Sequence, residues 1–151
     1  MTPDARVTLF LNAMVKLERR VYKRIGKTTP AEAATLKKEL EVILRENVST
    51  KGMGPKRFGM NLTSGLSASD PPQYDQEVLG VEDGPKSSTF YVVTKHRKDP
   101  NRIWRYVVID AKGSLAIDEV QSRWLSREEA QKVAKGQWDK LPKIKWDKLG
   151  Y

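Results

Sequence analysis

The side chains that could carry acid–base or metal chemistry are few in this 151-residue chain. His96, the only histidine, sits beside Arg97 and Lys98 at the end of a β-rich segment. A lone strand histidine is far more often a packing or surface residue than a general base, and it is read so here. There is no cysteine, which excludes thiolate nucleophiles, disulfides and Cys-type zinc sites. The best carboxylate cluster is Asp110, Asp118 and Glu119. Asp110 and Asp118 are expected to face one another across a Lys112-Gly113 hairpin, where they end strands and pair with Arg105 or Lys112. Gly52-x-Gly54 is followed by Pro55 and lacks the preceding strand and the lysine of a phosphate-binding loop, so it reads as loop flexibility. The pattern points to no catalytic residue, no metal and no cofactor.

Binding chemistry is better represented. The formal net charge is +9, from 28 Lys/Arg against 19 Asp/Glu, and it is unevenly placed. Residues 1–57 carry 13 basic against 6 acidic side chains, whereas residues 58–100 carry 4 against 6. Lys16, Arg20, Arg24 and Lys27 fall on one face of an amphipathic segment, and Trp138, Trp146 and Tyr151 alternate with lysines in the tail. Phosphate neutralisation with base stacking needs these residue types. So does attraction to an acidic protein, and a solvated helix face needs no partner at all. No helix-turn-helix, RNP-like or zinc-finger pattern accompanies them.

The elements that position these residues follow from periodicity. Thr2-Pro3-Asp4 opens a helix to about residue 25, with Val7, Phe10, Leu11, Met14, Leu17, Val21 and Ile25 as its apolar stripe and Gly26 as its stop. Thr29-x-x-Glu32, with Pro30 at the first turn, opens a second helix to about 47, whose stripe is Leu36, Leu40, Ile43 and Leu44. Residues 48–75 are Gly- and Pro-rich, either a binding loop or the host of a short helix around Lys56–Leu62. From 76 to 122 the chain reads as a four-stranded antiparallel meander with a bulge expected at Gly80. In its second strand Phe90, Val92 and Thr94 share one face and Tyr91, Val93 and Lys95 the other. In the third, Trp104, Tyr106 and Val108 alternate with Arg105, Val107 and Ile109. Ser126-x-x-Glu129 caps a short C-terminal helix, and the tail repeats Trp-Asp-Lys-Leu at 138 and 146. The tail is expected to pack its tryptophans on the sheet and leave its lysines in water.

These elements predict a single α+β domain over residues 1–151, with two N-terminal helices on the concave face of a curved sheet in a cone-like, cystatin-like plan. No stretch reaches the roughly 18 apolar residues of a membrane span, and the N-terminus lacks a signal-peptide pattern, so a cytoplasmic protein is expected.

Three passages resemble the nuclear transport factor 2-like immunity proteins of bacterial polymorphic toxin systems. Pro71-Pro72-Gln73-Tyr74-Asp75 is similar to that family's Pro-Pro/Glu-Tyr-Asp lead-in to the first strand. Trp104-Arg105-Tyr106-Val107-Val108 resembles its Tyr-Arg-Tyr strand. Lys112-Gly113-Ser114-Leu115-Ala116-Ile117-Asp118 resembles its closing hairpin, with Leu115 where the family has tryptophan. The resemblance covers about residues 1–122 and implies a non-enzymatic inhibitor that binds a cognate toxin domain. Charge then favours an acidic toxin surface, unless contact is made through the acidic strip Asp70, Asp75, Glu77, Glu82 and Asp83. Tyr74, Tyr91, Trp104 and Tyr106 are the aromatic contact candidates, and their face is either covered by the tail or exposed for the partner. Two other readings remain: a basic nucleic-acid-binding accessory protein whose contact face is Lys16, Arg20, Arg24 and Lys27, and a small-molecule or enzymatic pocket within the cone.

Overall fold

The computed structural model describes residues 1–51, 70–143 and 146–148. The short helix expected around Lys56–Leu62 and the Gly52-x-Gly54 loop lie outside the described residues.

Helix α1 spans Pro3–Lys23, and the Thr2 hydroxyl accepts the Ala5 N–H to cap it. Val7, Phe10, Leu11, Met14 and Leu17 are buried as their spacing requires. Ile25 does not continue the stripe, because the helix has ended and the chain is already in the turn through Gly26, φ 72°; its side chain is half exposed. Helix α2 runs Pro30–Asn47 and is capped by the Thr29 hydroxyl on the Glu32 N–H. The two helices lie antiparallel. Arg6 at the start of α1 donates to the Asn47 side chain and the Glu46 carbonyl at the end of α2, and Arg24 at the other end meets Glu32.

The sheet has strands β1 (Gln76–Asp83), β2 (Thr89–His96), β3 (Arg102–Ala111), β4 (Ser114–Trp124) and β5 (Asp147–Lys148), antiparallel in that order. The meander is as expected, and the tail adds a fifth strand: Gln121 pairs with Lys148 and Ser122 with Asp147. Lys112 and Gly113 both take positive φ, 56° and 83°, the pattern of a tight hairpin turn. The expected bulge is present, with the β1–β2 register shifting between Val78 and Gly80. A Cβ on Gly80 would stand 2.4 Å from the Trp138 ring, so the missing side chain is what lets that indole approach the strand.

Register decides which face is which. Thr94 pairs with Trp104 and Trp104 with Ser122; Val92 pairs with Tyr106 and Tyr106 with Val120. This inner face packs on the α1 and α2 stripes to form the main core, where Phe10 meets Tyr74 and Tyr106 edge-on at 5.7 and 6.3 Å. Val93 and Ile103 on the outer face form a second, smaller core with Val133 of helix α3 (Arg127–Ala134), joined by Leu79, Trp138, Leu141 and Trp146. The α3 capping box is formed in both directions between Ser126 and Glu129. Arg123, almost wholly buried, fastens this layer to β4 by pairing with Glu129 and donating to the Pro142 carbonyl. Among the described residues no helix is long and apolar enough to cross a membrane.

Candidate partner-binding surface

The acidic strip is real but half neutralised. Asp75 pairs with Arg97 at 3.3 Å, and Glu77 meets Lys95 at 3.2 Å and Arg97 at 3.5 Å, as neighbouring strands β1 and β2 require. Asp70, Glu82 and Asp83 are exposed. Glu82 and Asp83 stand at the far end of β1, eight residues from the lead-in, so the strip spans the length of an edge strand instead of forming one cluster.

Three of the four aromatic candidates are not on any accessible surface. Tyr74, Trp104 and Tyr106 are 2%, 3% and 0% exposed and belong to the main core. Their grouping with Tyr91 is corrected by the register: Tyr91 pairs with Val107 and Thr94 with Trp104, so Tyr91 faces outward where Trp104 and Tyr106 face α1. Alternation separates the two sets within each strand, but only inter-strand pairing says which sets share a face. Tyr91 is half-buried, with the Arg105 guanidinium 4.1 Å from its ring centre. Trp146 takes the other contact with Arg105 at 4.8 Å, and Arg105 Nε donates to Gln121 Oε1 at 2.7 Å. Gln121 in turn donates to Glu119. Burial lowers the Arg105 pKa from its ordinary value, against the opposing pull of Tyr91, Glu82 and Glu119. The tail therefore covers part of the outer face, and the remaining part is a stacked cation beside carboxylates.

The basic face is also partly spent. Arg20 pairs with Glu39 and Arg24 with Glu32, so two of the four expected cations hold α2 against α1. Lys16 and Lys27 are exposed.

The chemistry-bearing residues resolve into structural roles. His96 is buried: its Nε2 donates to the Pro72 carbonyl at 2.8 Å while Nδ1 accepts the N–H groups of Lys98 and Asp99. It organises the β2–β3 turn. Asp110 and Asp118 do not face each other. Asp110 pairs in register with Leu115 and accepts the Gly113 N–H, while Asp118 falls in the β3–β4 register shift at Val107/Val108 and accepts the Ser49 hydroxyl at 2.7 Å. Among the described residues neither carboxylate pairs with Arg105 or Lys112 as expected, because the shift carries Asp118 away from its strand partners. Asp118 lines an open groove of about 570 Å³ at the end of α2, with Val48, Ser49, Ile109 and Ala116. No group of three or more potential metal ligands occurs among the described residues.

Two features lie outside the sequence expectations. Glu18 lies fully buried in α1, where its carboxylate accepts the N–H groups of Gln73 and Tyr74 at 2.9 and 2.8 Å. Burial pushes its pKa up to about 7, against those two bonds and with help from Asp75. The bonds pin the lead-in to β1 onto α1. Next to it Gln76 Oε1 accepts from both Thr94 and Tyr106, and burial raises the Tyr106 pKa far above its usual range. Glu18 stands four residues after Met14 and seven after Leu11, so helical spacing puts it on the buried stripe, and an acid at that position is the signal the sequence offered. The second is Trp124, 65% exposed at the end of β4. The Arg102 guanidinium lies 5.0 Å from its ring and 4.9 Å from that of buried Trp104.

The family described as NTF2 fold immunity protein matches residues 3–141. No curated protein matches the chain, and no solved structure does.

Proposed function

The chain belongs to the NTF2 fold immunity proteins, and we propose that it acts by binding a cognate toxin domain and blocking it, without catalysis of its own. The observation that carries this reading is the family match over nearly the whole chain, from the first turn of α1 through α3 to Leu141. The construction of the molecule suits the task. Both sheet faces are packed against helices or tail over much of their length, which gives a rigid scaffold whose surface is set before the partner arrives. Of the expected contact residues, Asp70, Asp75, Glu77, Glu82, Asp83 and Tyr91 are accessible in whole or part. Tyr74, Trp104 and Tyr106 support the surface from below.

The test is protection. Co-expression with the toxin domain encoded beside this gene should restore growth, and the two purified proteins should form a complex that inhibits the toxin. Continued killing with the immunity protein abundantly present would overturn the reading.

A further inference from the structure

We propose that Trp124 is the anchor of the toxin-binding surface, and that it takes an acidic segment of the toxin with an apolar side chain seated on the indole. This rests on the immunity reading and adds a location and a partner chemistry to it.

The indole is out of place as a packing residue. Tryptophan ordinarily buries most of its surface, and the other three tryptophans of this chain do so wholly or in part. Trp138 and Trp146 pack on the outer face and Trp104 lies in the core. Trp124 instead presents 65% of its surface. Its backing is rigid. It closes β4 opposite Arg102, and the next residue, Leu125, donates its N–H to the Asn101 carbonyl at 2.7 Å. Arg102 is fixed between the two indoles and donates to the Ser122 hydroxyl at 3.0 Å. A large aromatic ring held in one orientation loses little entropy on binding, which is why tryptophan and arginine dominate interface energetics.

Charge selects the partner. At this end of the sheet Lys95 and Arg97 are matched by Glu77 and Asp75, and Asp99 uses its carboxylate on the Asn101 N–H. Lys98, Arg102 and Arg127 have no ion-pair partner among the described residues; the nearest acids in sequence are Asp99, whose charge also acts on Arg102, and Glu128 beside Arg127. A cation already occupies one face of the Trp124 ring, so a second cation on the other face is disfavoured, and an apolar side chain flanked by carboxylates fits. A single-stranded nucleic acid is the competing occupant. It is less suited, because such strands use successive stacking platforms and the other indoles are packed away.

The test titrates the purified full-length protein into the cognate toxin domain, comparing wild type with Trp124→Ala, Trp124→Phe and a control at the exposed α1 aromatic, Tyr22→Ala, and also into a 20-nucleotide oligo-dT. Trp124→Ala should weaken toxin binding about 30-fold or more. Trp124→Phe should recover much of it, Tyr22→Ala should change it less than about threefold, and Lys98→Glu with Arg127→Glu should weaken it about tenfold. Because the ring is exposed, all variants should melt within a few degrees of wild type. Wild-type binding with an unaffected Trp124→Ala variant overturns the anchor and leaves the immunity reading standing. No wild-type binding overturns both, and Trp124-dependent binding of the oligonucleotide without toxin binding assigns the ring to nucleic acid.

Discussion

Glu18 is the residue at which burial and charge collide. Its folded pKa of about 7 stands above the 4.5 of an unfolded glutamate, so the folded state holds the extra proton between those values. Stability from this group is therefore full below pH 4.5 and is lost as pH rises through about 7. Each pH unit of separation corresponds to about 1.4 kcal/mol, which makes the loss about 2–3 kcal/mol between pH 5 and 8. Urea melts across that range should show it for wild type. Glu18→Gln should give a flatter profile, less stable than wild type at pH 5 and comparable at pH 8, since the amide has no charge to bury but turns one N–H toward a backbone N–H. Parallel profiles for the two proteins would remove Glu18 as the cause. Glu129 titrates outside this window. Burial raises its pKa, but its bonds to Ser126 and Arg123 outweigh this and leave it below the usual carboxylate range. Its contribution is present above the unfolded value and lost only as pH falls below it.

At the scale of elements, the outer layer hangs on two contacts. Gly80 admits the Trp138 ring, and alanine there would place a methyl group 2.4 Å from it. Gly80→Ala should displace Trp138 and cost about 1–3 kcal/mol by overpacking, visible as a loss of near-ultraviolet dichroism and a lowered melting point. A variant as stable as wild type would show that the indole has another seat. The Arg123–Glu129 pair is the second contact. Glu129→Gln leaves a buried guanidinium short of its counter-charge and should destabilise by about 2 kcal/mol, with faster amide exchange in α3 than in α1. Equal exchange in both helices would argue that the layer is not fastened there. The capping residues Thr2, Thr29 and Ser126 were all legible beforehand, because caps are local. Glu32 forms half of the expected capping box: the Thr29 hydroxyl accepts its N–H, but its carboxylate goes to Arg24 across the helix pair instead of back to Thr29.

At the scale of the whole molecule, the +9 charge is less available than it looks. Arg20 and Arg24 hold the helices together, Lys95 and Arg97 hold the edge strands, and Arg123 holds the outer layer. The helix face expected to meet phosphates therefore offers Lys16 and Lys27. Lys16→Glu with Lys27→Glu should leave protection against the toxin unchanged, as read by growth in co-expression. A loss of protection would move the docking surface to α1. Capture of the toxin should slow about tenfold or more between low and high salt if the partner is acidic, as association kinetics would show, and a salt-independent rate would point to an uncharged contact.

Sequence by itself determined α1 to α3 and β1 to β4, their caps, the bulge at Gly80 and the tight turn at Lys112-Gly113, since each depends on residues close along the chain. It also determined that the meander has two apolar faces. It could not say that Trp104 and Tyr106 lie opposite Tyr91, that Glu18 accepts the Gln73 and Tyr74 N–H groups, or that Asp118 meets Ser49 and not Asp110. Those outcomes depend on register and on contacts between residues far apart in sequence. Register also placed Arg102 between a buried tryptophan and an exposed one. In the sequence Trp104 looked like the contact residue and Trp124 went unremarked. Tertiary structure reversed the two, because strand pairing turned Trp104 under α1 and left Trp124 beyond the edge of the helical cover.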